Sequence, residues 1–171
     1  MISIRILKKS DNRSLFSCGE IELDYYFQKF AGQNQFKHFV GSTYIATDDV
    51  NIFGFVTVSA GSLMRDDLPL LIQKKFPFYP LPILHITRIG VDMKYQNQGI
   101  GKELMMVSFR LAIEQKERVG CIGVVVDAKI DAVEFYKKLG FVELEVKRGL
   151  SRTHPLPIPM FMVIQTIEKA L

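Results

Sequence analysis

Cysteine is scarce, with only Cys18 and Cys121 in the chain. Two are too few for a disulfide framework, they form no CxxC pair, and they suit a reducing compartment such as the cytoplasm. Long apolar runs are missing too. No stretch approaches the roughly 20 apolar residues that span a bilayer. Met1 to Ser10 alternates polar and apolar residues and ends in Lys8-Lys9, without the apolar run of a signal peptide. A cytoplasmic protein with no membrane segment is expected. Neither an internal repeat nor a low-complexity tract or linker divides the chain, so one domain over residues 1–171 is predicted. HExxH and GxSxG are absent as well, which leaves metal-assisted and serine hydrolysis without support and predicts no metal site.

The composition is that of a globular protein, with 48% hydrophobic and 23% charged residues in 171. Such a length buries a real core without staples. The formal net charge of +4 and pI near 9.0 permit an anionic partner without demanding one.

Strand and helix signals alternate. Ile2 to Leu7 reads as a strand. Ser17, three residues before Glu20, reads as a capping box that starts a helix running to about Phe36. Ser42–Thr47 and Ile52–Ser59 read as a hairpin across the polar turn Asp48 to Asn51. A short helix is expected within Ser62 to Phe76, then a Pro-rich stretch, then a strand from Ile83 to Val91. Ile100, Leu104, Val107 and Leu111 share one face of a helix from about Gly99 to Glu117. Ile122–Val126 reads as a buried strand of the parallel type. A helix over Ile130–Leu139 ends at Gly140, and strands follow at Phe141–Val146 and Met160–Ile164. The alternation predicts an α/β fold layered around a central sheet.

The segment Gln96-Asn97-Gln98-Gly99-Ile100-Gly101-Lys102 lies between a strand and an amphipathic helix. Glycines let the backbone approach a ligand closely. The helix start offers unpaired N–H groups and the positive end of its dipole, which together make a phosphate cradle. A Walker A loop would need Gly at Gln96 and Ser or Thr at Glu103; a Rossmann fingerprint would need Gly at Leu104. The pattern that remains, [Q/R]xxGx[G/A] after a strand, resembles the pyrophosphate loop of the GNAT acetyltransferases.

Asp127 to Phe141 adds to the resemblance: Ala132, Phe135, Tyr136, Gly140 and Phe141 match the Ala-x-x-[F/L]-Tyr helix of that family with its closing Gly-Phe. Phe16-Ser17-Cys18-Gly19 with Leu23-Asp24, then Ile52-Phe53-Gly54-Phe55, Tyr79 to Pro82 and Arg88 to Asp92, resemble the GNAT subgroup of tRNA-acetylating toxins from bacterial toxin–antitoxin modules. Asn97 stands where Gly is common, Gly90 replaces a usual Ala, Lys129 replaces a frequent Asn, and Lys147 to Pro159 is basic and Pro-rich.

The resemblance implies a GNAT acyl-CoA N-acyltransferase fold, a mixed central β-sheet flanked by helices. It implies acetyl-CoA as acetyl donor, bound by Ile89, Val91, Gln96, Asn97, Gln98, Gly99, Ile100, Gly101 and Lys102. Tyr136 becomes the catalytic residue facing the coenzyme A sulfur. Partners implied are aminoacyl-tRNA, a cognate antitoxin and a second copy of the chain; a small-molecule amine or a protein N-terminus is the alternative acceptor.

Acetyl transfer needs a neutral amine, a polarised carbonyl and a stabilised leaving thiolate. Backbone N–H groups near Val91 can polarise the carbonyl, and Tyr136 can give a proton to sulfur. The strand Ile83 to Val91 carries no Glu or Asp as base; His85 and His38 are the candidates. Deprotonating an α-amine, with a pKa near 7.7, is cheap at neutral pH, whereas a lysine near 10.4 costs about 4 kcal/mol. An α-amine acceptor is therefore favoured. Lys74, Lys75, Lys116, Arg118, Lys137, Lys138, Lys147, Arg148 and Arg152 could line an RNA surface or simply a solvated face.

Overall fold

Seven strands and six α-helices alternate along the described residues, 1–144 and 156–171 of a computed structural model. They are β1 (Ser3–Ile6), α1 (Ile21–Lys29), α2 (Ala31–Phe36), β2 (Ser42–Thr47), β3 (Ile52–Leu63), α3 (Leu70–Gln73), β4 (Leu81–Val91), α4 (Ile100–Arg118), β5 (Gly123–Ala128), α5 (Val133–Leu139), β6 (Val142–Glu143), β7 (Ile158–Val163) and α6 (Ile164–Ala170). The sheet order is β1-β2-β3-β4-β5-β7-β6. The chain divides into two units: Met1–Ser59 with Ile86–Ser108, and Ala60–His85 with Phe109–Leu171.

In the first unit β1 pairs antiparallel with β2, and β2 with β3. The hairpin turn is made by the Asp48 carboxylate, which accepts from the N–H groups of Val50 and Asn51 at 2.9 and 2.6 Å. Thr87 Oγ1 donates to Thr57 O at 3.3 Å and Asp92 N–H to Phe53 O at 2.9 Å, so β4 also runs antiparallel to β3. The core gathers Leu7, Phe16, Tyr26, Phe27, Ala31, Ile45 and Phe55. Phe27 stacks on Phe55 at 4.2 Å, and Phe16 meets both rings edge-on. Each such side chain contributes about 1.5–3 kcal/mol on burial.

The expected capping box does not form. Glu20 holds the N-cap position of α1 without a side-chain cap bond. Asp24 reaches back instead, accepting from Cys18 N–H at 2.7 Å and from Ser17 Oγ at 3.3 Å. The single helix expected to Phe36 is two helices that meet at Phe30 (φ −115°, ψ −25°). Arg13 Nη1 donates to Phe27 O at 3.0 Å, taking the carbonyl that an unbroken helix offers to Ala31.

In the second unit β5 and β6 both pair antiparallel with β7. On its other side β5 runs with β4: Ile122 N–H donates to Pro82 O at 2.8 Å, and Asp127 meets His85. Leu68, Leu81, Ile83, Val125, Leu144 and Phe161 form its core. α5 ends on Gly140 at φ 110°, with Gly140 N–H bonded to Lys137 O and Phe141 N–H to Tyr136 O. That 5→2 and 6→1 pair is the Schellman closure which glycine permits.

Several boundaries differ from those read in the sequence. β3 continues to Leu63, beyond the expected Ser59. Ile164 belongs to α6 and not to the last strand; α6 was not foreseen. Its seven residues are too few for a helical period to show. The expected strand Phe141–Val146 is only Val142–Glu143 among the described residues, and Val146 lies outside them.

Candidate active site

β4 delivers the chain to the glycine loop through a buried carboxylate. Asp92 follows β4 directly and is 7% exposed. Its side chain accepts from Lys94 N–H at 3.0 Å and from Ser17 N–H at 3.2 Å, and Met93 N–H donates to Ser17 O at 2.9 Å. Asp92 thus caps the 3₁₀ turn Met93–Tyr95 and ties it to the loop before α1. The Gln96 amide adds two bonds, donating to Cys18 O at 3.1 Å and Val91 O at 3.0 Å. Its side chain is committed to holding the loop, so what Gln96 offers a ligand is backbone.

The turn then folds back on itself. Asn97 sits at φ 64° and Gly99 at φ 85°, left-handed conformations that Asn and Gly tolerate best. Gln96, Asn97, Gln98, Gly99 and Lys102 are exposed, while Ile100 is buried as the anchor of α4. A Cβ placed on Gly99 would meet nothing within 4 Å, and one on Gly101 only Val91 Cγ2 at 3.8 Å. The loop therefore presents an open face of backbone beside the unpaired N–H groups of α4's first turn. Such a face fits a pyrophosphate.

Glycines set α4 close to the sheet. A Cβ on Gly54 would stand 3.0 Å from Gly90 O and 3.1 Å from both Ile100 and Leu104. A Cβ on Gly90 would meet Leu23 at 3.1 Å and Phe55 at 3.2 Å, which gives a packing reason for glycine where the resemblance has alanine. Ile89 and Val91 are half-buried on alternate positions of β4, so they share one face of the strand.

Tyr136 lies on α5 in the second unit and is 5% exposed. Its ring meets Phe135 and Phe141 edge-on at 5.2 and 5.4 Å. Burial pushes its phenol up to about 12, so the hydroxyl keeps its proton well beyond neutral pH. In the same unit His85 Nε2 lies 3.0 Å from Asp127 Oδ2. Asp127 as a partner of His85 was not foreseen, because the pairing depends on the β4–β5 register. Asp92 was seen only as part of a motif; an Asp ahead of a helical turn is the signal that marks it. His38 is exposed, on the segment between α2 and β2.

Among the candidate RNA-facing cations, Lys116 pairs with Glu168, and Lys137 lies 3.9 Å from Glu134 and 3.8 Å from Glu143. Lys74, Lys75, Arg118 and Lys138 are exposed. Lys147, Arg148 and Arg152 lie outside the described residues. No helix among the described residues is long and apolar enough to cross a membrane.

Comparison with known proteins gives one family and consistent relatives. The family model of the acetyltransferase (GNAT) domain matches residues 40–143, more than half of the chain. A tRNA-acetylating toxin of Mycobacterium tuberculosis is 28% identical, with 92% of this chain and 90% of the relative covered. The solved structure of AtaT complexed with acetyl-methionyl-tRNAfMet superposes with a TM-score of 0.82 at 25% identity, covering 99% of this chain and 98% of that one. The structure of AtaTR bound with AcCoA gives a TM-score of 0.76 at 25% identity over 98% and 96% of the two chains.

Proposed function

The chain belongs to the GNAT acetyltransferase family and is an acetyl-CoA-dependent N-acetyltransferase; from that premise we propose that its acceptor is the α-amine of an aminoacyl-tRNA and that it inhibits translation as a toxin. The observation that carries this reading is the relationship to a tRNA-acetylating toxin over 92% of the chain. The likeness to a toxin structure holding acetyl-methionyl-tRNA supports it, as does the net charge of +4. The protein works as one catalytic domain in the cytoplasm, where aminoacyl-tRNA is made, and is held in check by a cognate antitoxin.

Backbone N–H groups of Gln96 to Lys102 donate to the pyrophosphate, with α4's dipole adding a favourable field. The carboxamide of Gln96 keeps the loop in shape for this. Ile89 and Val91 on β4 pair with the pantetheine arm in the manner of an added strand. When bound, acetyl-CoA supplies the activated acetyl thioester. Tyr136, protonated at neutral pH because burial raises its phenol, donates its proton to the departing sulfur. An N–H group near Val91 stabilises charge on the carbonyl oxygen.

Labelled acetyl-CoA incubated with aminoacyl-tRNA, deacylated tRNA, spermidine and a peptide tests the acceptor. Label is expected on aminoacyl-tRNA and not on deacylated tRNA, with polyamine and peptide poor by comparison. Inert aminoacyl-tRNA beside a rapidly acetylated small amine would overturn the toxin reading and leave a general acetyltransferase.

A further inference from the structure

The arginines of the first unit are Arg5, Arg13 and Arg88, and they differ in what their guanidinium groups hold. Arg5 donates to the Asp11 carboxylate at 2.9 and 2.8 Å, and Arg13 to Phe27 O at 3.0 Å. Arg88, exposed on β4, makes no ion pair or side-chain hydrogen bond to any of the described residues. Its side chain is held all the same. The guanidinium carbon stands 4.0 Å from the centroid of the Tyr26 ring, a stacking that suits a planar, delocalised cation. The ring beneath it is fixed. Tyr26 is 7% exposed and packs beside Phe55. Its hydroxyl reaches Thr57 Oγ1 at 3.5 Å, which lies 2.7 Å from Thr43 Oγ1. A guanidinium stacked on a fixed ring keeps its N–H edge free, and that edge is a fork matched to two oxygens of one anion.

β4 sets this fork beside the strip that pairs with the cofactor. Arg88 precedes Ile89 and alternates with Ile89 and Val91, so it projects from the opposite face of the strand. Val91 faces α4, since a Cβ on Gly101 would stand 3.8 Å from Val91 Cγ2. Gly90 faces α1 and the loop before it, where a Cβ would meet Leu23 at 3.1 Å and Cys18 Cβ at 3.6 Å. Arg88 shares that face with Gly90, about 7 Å away along an extended strand. A pantetheine arm paired with Ile89 and Val91 thus runs beside an unpaired, preorganised cation on the α1 side.

We propose that Arg88 is the specificity-determining residue of the acceptor site, binding the phosphodiester immediately 5′ of the terminal adenosine. This rests on the aminoacyl-tRNA reading above. A phosphodiester offers the fork two non-bridging oxygens that share one negative charge, and a single nucleoside separates it from the esterified amino acid. A polyamine is repelled by the same cation, and a peptide amine brings no phosphate to it. Arg88 therefore selects an amino acid carried on RNA over a free amine.

The test uses acceptors that differ by one phosphate. An amino acid esterified to adenosine has the amine and no phosphodiester; the same amino acid on the dinucleotide CpA has one. The wild type is expected to favour the CpA ester in kcat/KM by roughly tenfold to a hundredfold, the worth of one hydrogen-bonded charged contact. Arg88→Met keeps a stem over Tyr26 and removes the fork, so the two esters should react alike. Arg88→Lys keeps the charge and should restore only part of the preference. A preference that survives Arg88→Met in a protein that still binds acetyl-CoA, or none in the wild type, would overturn the proposal. A second readout needs no acetyl transfer. The Nε–H resonance of Arg88, assigned by its loss in Arg88→Met, is expected to shift when CpA without an amino acid is added and to stay when adenosine is added. An unmoved resonance overturns the proposal as well. Esters that remain inert while Arg88 responds to CpA would overturn the acceptor reading alone.

Discussion

Tyr136 carries two separable consequences of one burial. Its phenol is held near 12, above the ordinary value of about 10, so the folded state favours the neutral form. The stability this contributes is complete below pH 10 and is lost as pH rises from 10 towards 12. Relative to Tyr136→Phe, the wild type should lose about 1 kcal/mol between pH 9 and pH 11, read from urea midpoints. At neutral pH the same substitution keeps the ring contacts with Phe135 and Phe141 and removes only the donor. Turnover is expected to fall tenfold to a thousandfold with coenzyme A binding nearly intact. Wild-type turnover in the Phe variant would make Tyr136 a packing residue.

Residues differ in how far sequence exposes them. The glycine loop was legible because its chemistry is local: a strand, two glycines and a helix start are read in order. Gln96 was legible as a position but not as a role, since its carboxamide reaches Cys18 O, 78 positions away. The partnership of His85 with Asp127 needs a strand register between residues 42 positions apart, which the sequence conceals.

Among the elements, α4 was the clearest in the sequence, because nineteen residues hold a steady apolar face. The α1–α2 break was hidden, for it depends on Arg13 capturing a carbonyl fourteen positions on. The capping box misled because Ser17 and Glu20 have the right spacing while Asp24 supplies the bond.

The start of α4 also carries the cofactor prediction. Gly101 has room for a side chain, and an acid in the first turn suits the helix dipole. Gly101→Asp is therefore expected to fold as well as the wild type while its carboxylate repels the pyrophosphate. Calorimetry should show coenzyme A affinity falling at least tenfold. Unchanged affinity in a folded variant would remove the loop from the cofactor site.

For the whole molecule the question is what a modest excess of positive charge does. Lys116 and Lys137 have acidic neighbours, and Lys74, Lys75, Arg118 and Lys138 are exposed. If these cations meet phosphates, tRNA association should weaken steeply with added salt, as released counterions dictate. Reversing Lys74 and Lys75 to Glu should weaken it further and spare acetyl-CoA binding. Association that ignores both salt and charge reversal would make this a solvated face.

The α-amine of aminoacyl-tRNA as acceptor is tested most directly by mass spectrometry of the tRNA acceptor ends from a cell-free extract arrested by the protein and acetyl-CoA. After nuclease digestion, terminal adenosine esterified to an N-acetylated amino acid should appear in proportion to the arrest. Arrest without that species, or aminoacyl ends left unmodified under full acetyl-CoA turnover, would contradict it.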